Sequence, residues 1–287
     1  MYILKISLKM SKVYTIAEIG INHNGDLDIA KRLITIAAAA GFDSVKFQKR
    51  NPDVCVPEHM KEKVRDTPWG KTTYLAYKHR VEFDLDQYKE IDEHCSTNNI
   101  AWSASPWDLD SVEFLQEFNL PWVKLASASI VNESLVRACS ESFDSVIMST
   151  GMSDMSNVED AYSWITKTDK STKVAILHCN SSYPAPLEEL NLRCMPTLGA
   201  RFPKCKIGYS GHEFALTPTI ASVALGAEII ERHVTLDRTM WGSDQLCSLE
   251  PHAMFKLVRG IRDMEKALGS SDKIVTPSEL SKITSLR

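Results

Sequence analysis

Residues 16–48 constrain the fold more than any other segment, because they encode a strand, a turn, a helix and a second strand in succession. The apolar run VYTIAEIG predicts a buried strand that leads into the turn NHNGD. After this turn, Ile29, Leu33, Ile36 and Ala37 recur at helical spacing, and SVKFQ predicts the second strand. Such a strand, helix and strand form the repeating unit of an α/β fold.

Three reactive side chains lie at the ends of these two strands. Glu18 comes at the end of the first strand, and Lys46 and Gln48 come at the end of the second. Because the carboxyl ends of parallel strands lie on one side of the fold, we expect a carboxylate, an ammonium and an amide to converge there, as in α/β enzymes. The alternative is a surface Glu18 and Lys46 beside a sheet. It is disfavoured because Lys46 lies within an otherwise apolar run.

The rest of the chain repeats the same strand-then-helix unit. The eight predicted strands are VYTIAEI, DSVKFQ, IAWSAS, WVKLAS, SVIMST, KVAILHC, KIGYS and AEIIERHV. The predicted helices are centred near residues 33, 91, 113, 136, 161, 194, 220 and 259. Eight such units predict an α/β protein with the (β/α)8 TIM-barrel fold, which forms a single domain over residues 1–287.

Two segments fall outside the regular repeat. Residues 1–12 alternate apolar and polar side chains, which indicates a short strand or hairpin in front of the barrel. Residues 49–84 form the longest connection, without obvious regular structure, and loops of this length are usually covers or binding loops. We therefore expect a long active-site loop at 49–84.

The composition narrows the function classes. A net charge of −4 gives no reason to expect nucleic acid or an anionic membrane surface as a partner. The seven cysteines are scattered without C-x-x-C pairs, which indicates reduced thiols in the cytoplasm. No apolar run approaches the roughly 18 residues that span a bilayer. The partners expected are therefore small molecules.

The predicted strand ends carry a coherent set of polar groups, namely Glu18, Asn22, His23, Lys46, Gln48, Ser103, Ser105, Lys124, Ser127, Ser129, Ser149, Thr150, His178, Ser181, Ser210, His212, Glu231 and His233. Two lysines among serines suit a small molecule that carries a carboxylate and a phosphate. Two histidines on the adjacent seventh and eighth strands could share one divalent ion, with waters or a carboxylate completing its shell. The alternatives are lysines that snorkel at the barrel mouth and structural histidines. For His23 and His178 both readings stay open.

Several motifs in collinear order from about residue 14 to 268 identify a family resemblance. They are AEIGINHNGD, VKFQ, SASPWDLDSVEFL, VKLASASI, IMSTGMS, LHCNSSYPAP, IGYSGHE and GAEIIERHVTLDRTMWGSDQ with SLEP. The chain resembles the catalytic barrel of the sialic acid (N-acetylneuraminate) synthase family. The resemblance implies a metal-dependent, C–C bond-forming transferase. It would condense phosphoenolpyruvate with an N-acetylmannosamine-like aldose to a nonulosonic acid, with release of phosphate by C–O cleavage.

The resemblance also implies a role for each matching position. His212 and His233 match two ligands of a divalent metal, typically Mn²⁺, with Mg²⁺ or Co²⁺ as alternatives. Glu18 matches an essential acidic residue. The positions that match the phosphoenolpyruvate-binding residues are Lys46, Lys124, Ser127, Ser149, Ser181 and Ser210. Gln48 and Tyr183 match the acceptor side of the pocket, and Asp244 matches an acidic residue close to the metal and the acceptor.

The chain departs from the family pattern mainly on the sugar side. Ser210-Gly211-His212 replaces a Ser-Asp-His step, Ser127-Ala128-Ser129 replaces Ser-Gly-Glu, and WGSDQ replaces a Gly-Pro-Asp form. The alternatives are therefore a related synthase that makes another 3-deoxy-ulosonic acid, or a non-catalytic barrel that senses phosphoenolpyruvate or a sugar acid. Family members commonly carry an antifreeze-like domain after the barrel. None is expected within these 287 residues, so we expect a homodimer that forms through barrel surfaces.

Overall fold

The computed structural model describes residues 12–168 and 170–287. The strands in this part of the chain are β1 (Tyr14–Gly20), β2 (Ser44–Lys49), β3 (Val64–Thr67), β4 (Gly70–Thr73), β5 (Ala101–Pro106), β6 (Val123–Leu125), β7 (Ser145–Ser149), β8 (Lys173–Cys179), β9 (Lys206–Gly211) and β10 (Ile229–His233). The helices are α1 (Leu27–Ala40), α2 (Pro52–Cys55), α3 (Glu58–Lys61), α4 (Tyr74–Val81), α5 (Leu85–Thr97), α6 (Leu109–Leu115), α7 (Glu133–Ser142), α8 (Met155–Thr166), α9 (Cys194–Arg201), α10 (Thr217–Ala224), α11 (Pro251–Leu268) and α12 (Pro277–Leu286). All eight predicted barrel strands and their helices are therefore present.

The eight barrel strands form one parallel sheet in the order β5-β2-β1-β10-β9-β8-β7-β6. This order curls the sheet round until β5 and β6 face each other, as the predicted TIM barrel requires. No ladder joins β5 and β6 within the described residues, but the Ser103 hydroxyl donates a hydrogen bond to the carbonyl of Trp122 across the seam. The barrel is thus nearly closed, and the fold prediction is confirmed.

The alternation of side chains along each strand separates two apolar regions. Outward side chains such as Val45 and Phe47 belong to one large cluster with Leu33 and Ala37 of α1. Inward side chains fill the amino-terminal half of the barrel with a smaller apolar cluster, namely Ile16, Trp122, Ile147, Ala175, Leu177 and Ile229. The inward positions nearer the carboxyl ends of the strands are polar, so the barrel is apolar at one end and reactive at the other.

The turn between β1 and α1 follows the sequence prediction closely. Asp26 caps α1 by accepting hydrogen bonds from the backbone N–H groups of Asp28 and Ile29, at 2.9 and 3.1 Å. Gly25 has φ of +78°, and a Cβ at this position would lie 2.2 Å from the carbonyl oxygen of Arg80. Glycine is therefore required in the NHNGD turn by both conformation and space.

The long connection after β2 contains regular structure that the sequence analysis did not predict. It comprises α2, α3, an antiparallel hairpin of β3 and β4, and α4. The hairpin and α4 pack against the loop after β10, where Trp69 and Tyr77 meet Trp241 edge-on with ring centroids 5.8 and 5.0 Å apart. The segment is therefore a folded subdomain against the eighth loop.

Two further predictions concern the first twelve residues and the absence of a membrane-spanning segment. The strand or hairpin predicted over residues 1–12 lies outside the described residues, apart from Lys12. Among the described helices, none combines the length and the apolar character that crossing a bilayer would need.

Candidate active site

The carboxyl ends of the barrel strands surround a cavity of about 290 Å³. Eleven of the twelve site residues predicted from the sequence line it, namely Glu18, Lys46, Gln48, Lys124, Ser127, Ser149, Ser181, Tyr183, Ser210, His212 and His233. Asp244 is not among the lining residues, but its carboxylate lies close enough to act on the pKa of His233. The barrel thus brings together side chains that are up to 215 positions apart in the chain, from Glu18 to His233.

The acidic residue of β1 is held between two groups from β2. The Lys46 ammonium lies 2.6 Å from one carboxylate oxygen of Glu18, and the Gln48 amide donates to the other at 3.1 Å. Lys46 also donates to the Ser105 hydroxyl at 3.0 Å. The Arg50 guanidinium donates to the side-chain amide oxygen of Gln48, and this contact turns the side-chain N–H group of Gln48 towards Glu18. Five polar side chains are therefore fixed in one network.

A second lysine and a second carboxylate lie across the cavity. Lys124 donates to the Ser149 hydroxyl at 2.6 Å and lies 3.6 Å from a carboxylate oxygen of Glu231, which also accepts from Ser210 at 3.0 Å. Glu231 belongs to the predicted polar groups at the strand ends, but no role was predicted for it. The available signal was its position two residues before His233, which puts both side chains on the inward face of β10.

The pKa values of the two buried carboxylates are shifted in opposite directions. Burial raises the pKa of Glu18 to about 7, although Lys46 opposes this shift. Burial also acts to raise the pKa of Glu231, but Lys124 and Lys46 outweigh it and lower the pKa to about 2. Burial lowers the pKa of Lys124, and Glu231 counteracts part of that effect. Glu231 is therefore ionised at neutral pH, whereas Glu18 can hold or release a proton there.

A glycine that the sequence analysis did not select completes the serine-lined side of the cavity. The Gly151 N–H donates to the Ser127 hydroxyl at 3.0 Å. A Cβ on Gly151 would lie 2.1 Å from the Ser181 hydroxyl oxygen and 2.9 Å from that of Ser127. The absence of a side chain keeps this space open between two hydroxyl donors. The signal in the sequence was the STG step at the end of β7, the fifth strand of the barrel.

The two predicted metal-binding histidines lie next to each other, with ring centroids 5.3 Å apart. His212 Nδ1 lies 2.6 Å from the carbonyl oxygen of Asn180, so this nitrogen carries a proton and Nε2 is the nitrogen that remains for a metal. His233 Nδ1 is buried without a hydrogen-bond partner, and burial lowers the pKa of His233 to about 3. Within the described residues, no group of three or more His, Cys, Asp or Glu side chains is placed to hold a metal.

The two histidines whose role the sequence left open are structural. His23 is buried, stacks on Phe83 at a centroid distance of 4.1 Å and accepts a hydrogen bond from the Gly25 N–H at 3.0 Å. His178 lies 2.6 Å from the carbonyl oxygen of Leu190 through Nε2. Neither side chain lines the cavity.

A nearly closed (β/α)8 barrel with lysines, serines and paired histidines at the carboxyl ends of its strands defines a barrel enzyme that acts on a small anionic molecule. The NeuB family matches residues 33–273, and the chain belongs to this family.

Named relatives agree with this membership. The chain is 38% identical to N-acetylneuraminate-9-phosphate synthase from Homo sapiens, over 93% of this chain and 74% of the relative. It is 39% identical to N,N'-diacetyllegionaminic acid synthase from Campylobacter jejuni, over 97% of this chain and 84% of the relative. A crystal structure of N-acetylneuraminic acid synthetase from Leptospira borgpetersenii, in complex with citrate, superposes with a TM-score of 0.85 at 33% identity. It covers 96% of this chain and 91% of that protein.

Proposed function

We propose that the chain condenses phosphoenolpyruvate and water with the open form of an N-acetylmannosamine-like aldose, giving a nonulosonic acid and inorganic phosphate. The observation that carries the proposal is the position of Lys46 and Lys124 in one small cavity with five serines and two histidines. Both lysines are at most 3% exposed. The names of the relatives, which make sialic-type and legionaminic acids, support the reaction class.

The two lysines and the serines would hold the donor substrate. We place the phosphate and carboxylate of phosphoenolpyruvate among Lys46, Lys124, Ser127, Ser149, Ser181 and Ser210, the set defined here as the phosphoenolpyruvate cradle. Buried ammonium groups form charge-assisted hydrogen bonds that both orient and stabilise an anion. Gly151 supports this placement because it leaves room between Ser127 and Ser181.

The reaction forms one C–C bond and breaks one C–O bond. The methylene carbon of phosphoenolpyruvate attacks the aldehyde carbon, water adds to the adjacent enol carbon, and the tetrahedral product loses phosphate. Glu18 would hold or transfer the proton of this water, since it lines the cavity and burial raises its pKa to about 7. Glu231 would remain ionised and keep Lys124 charged and oriented.

We also propose that His212 and His233 bind a divalent metal, with Mn²⁺ preferred and Mg²⁺ or Co²⁺ as alternatives. The residues fit such an ion, because the hydrogen bond from His212 Nδ1 to a backbone carbonyl is the outer contact that metal-binding histidines usually make. His233 stays neutral and so keeps a nitrogen lone pair. When bound, the metal would act as a Lewis acid on the aldehyde oxygen of the acceptor. Water or substrate oxygens would complete its coordination.

The acceptor would bind between Gln48, Tyr183 and the eighth loop that carries Asp244. Tyr183 supports this placement, because its ring packs against His212 at a centroid distance of 4.1 Å and is 45% exposed.

We further propose that the enzyme is a cytoplasmic homodimer. All seven cysteines are free, which suits a reducing compartment. Leu187, Phe214 and Leu246 are 48 to 59% exposed, which offers apolar surface for a second copy.

Phosphate release tests the proposal. Purified protein incubated with phosphoenolpyruvate, N-acetylmannosamine and Mn²⁺ is expected to release phosphate only when both substrates are present. Thorough chelation should stop the release and added Mn²⁺ should restore it, while His233→Ala should be inactive. His59→Ala, which changes an exposed histidine outside the cavity, is the matched control. Full activity in chelator would end the metal proposal, and failure to bind phosphoenolpyruvate would end the synthase proposal.

A further inference from the structure

A second cavity, of about 590 Å³, lies at the amino-terminal end of the barrel, opposite the active site. Its floor is the inward apolar layer of the barrel, namely Tyr14, Trp122, Ile147, Ala175 and Ile229. Tyr14 and Trp122 are joined by a hydrogen bond of 3.4 Å from the indole N–H to the phenol oxygen. The floor is therefore aromatic and aliphatic, and Tyr14 is its more exposed ring, since Trp122 is 6% exposed.

Cations surround this floor. Four lysines line the cavity, namely Lys170, Lys173, Lys204 and Lys206. Lys170 pairs with the exposed Asp144 at 2.8 Å, but the other three make no salt bridge with any described residue. The lining residues include no aspartate or glutamate from the described chain. Ser145 and Ser171 also line this cavity. The rim is thus rich in donors for an anion, and among the described residues Asp144 is the carboxylate that competes for them, through Lys170 and Lys173.

We propose that this cavity binds a nucleoside phosphate, with the base on the aromatic floor and the phosphates among the lysines of the rim. The volume falls within the roughly 300 to 1,000 Å³ that small-molecule sites usually have. An inorganic anion would leave the aromatic floor uncovered, and an apolar ligand would leave the ammonium groups without partners. A ligand with a flat aromatic ring and several negative charges satisfies both parts at once.

The site is separate from the phosphoenolpyruvate cradle, and it goes beyond the proposed function. The same strands nevertheless reach both cavities. On β7, Ser145 and Ile147 line the amino-terminal cavity and Ser149 lines the active site. On β10, Ile229 lines the amino-terminal cavity, and Glu231 and His233 line the active site. The two ligands therefore occupy opposite ends of common strands and do not overlap.

Isothermal titration calorimetry of the full chain with ATP and with CTP tests the proposal. Both are expected to bind in metal-free buffer with or without saturating phosphoenolpyruvate. Adenosine and inorganic tripolyphosphate should each bind about tenfold more weakly than ATP, because each lacks one half of the recognised chemistry. The double variant Lys204→Ala/Lys206→Ala should bind ATP about tenfold more weakly and keep wild-type phosphoenolpyruvate binding.

The matched control is Lys124→Met, which changes the active site and should leave ATP binding unchanged. The inference is overturned if neither nucleotide binds, if phosphoenolpyruvate displaces ATP, or if the double variant binds ATP like the wild type. Equal affinity for ATP and tripolyphosphate would also overturn it, because the aromatic floor would then have no role.

Discussion

Replacing Lys124 with methionine is the sharpest test of the phosphoenolpyruvate cradle. The side chain is 2% exposed, and methionine fills a similar volume without the ammonium. Each hydrogen bond from a charged group contributes about 1.5 to 3 kcal/mol, and about 1.4 kcal/mol corresponds to tenfold in affinity. We therefore expect phosphoenolpyruvate to bind about 10 to 150 times more weakly, as measured by calorimetry without acceptor.

The same substitution has a second, separable effect on stability. It leaves the carboxylate of Glu231 without the ammonium that lies 3.6 Å away, and breaking a buried pair on one side costs about 3 to 5 kcal/mol. Glu231 keeps its hydrogen bond from the Ser210 hydroxyl and can take up a proton. We therefore expect urea unfolding to show a loss of about 3 kcal/mol in the free energy of unfolding. Adding Glu231→Gln should recover much of this stability.

The double variant separates the two effects, because it should regain stability without regaining phosphoenolpyruvate affinity. Circular dichroism and size-exclusion chromatography verify that both variants are folded. A folded Lys124→Met protein that binds phosphoenolpyruvate within about twofold of the wild type would show that the cradle is assigned to the wrong residues.

Three further outcomes follow from the structure. Burial lowers the pKa of His23 from its ordinary value of 6.5 to about 3. At pH values below 6.5, the unfolded chain therefore binds a proton at His23 that the folded chain excludes. Between pH 6.5 and 5, His23→Asn should therefore lose less stability than the wild type, by up to about 1.4 kcal/mol per pH unit. Urea unfolding at several pH values measures this, and the same dependence of the free energy of unfolding on pH in both proteins would contradict it. Asp43 accepts hydrogen bonds from the N–H and the hydroxyl of Thr15, at 2.9 and 2.8 Å. Asp43→Asn should therefore lower the free energy of unfolding by about 1 to 3 kcal/mol. An unchanged midpoint of urea unfolding would show that these hydrogen bonds do not stabilise the fold. Deleting 66–71, the tip of the hairpin, should raise KM for the aldose while KM for phosphoenolpyruvate stays the same, and the reverse pattern would rule out a cover over the acceptor.

The sequence by itself determined the barrel and most of its site. Apolar runs of strand length separated by helical periodicity are local signals, and each of the eight appears where it was predicted. A residue at the carboxyl end of such a strand must point either into the barrel or outwards, so its position is nearly fixed once the fold is known. Lys46, Lys124 and the two paired histidines were predictable for that reason.

Only the tertiary structure decided what the side chains do to one another. The contact from Arg50 that orients Gln48 depends on rotamers, and the charge of Glu231 depends on two lysines from distant strands. The hairpin of β3 and β4 is short and half-exposed, so it lacks the apolar alternation that marks a strand.

Long-range packing explains the remaining features that the sequence did not reveal. The side chain of Gln245 donates to the backbone of Asn22, which is 223 residues away, and this contact fixes the eighth loop against the first. The lysine rim at the opposite end likewise combines residues from 170–173 and 204–206, which become neighbours only because β8 pairs with β9. Local patterns carry no information on such pairs, since their proximity arises only when the barrel closes.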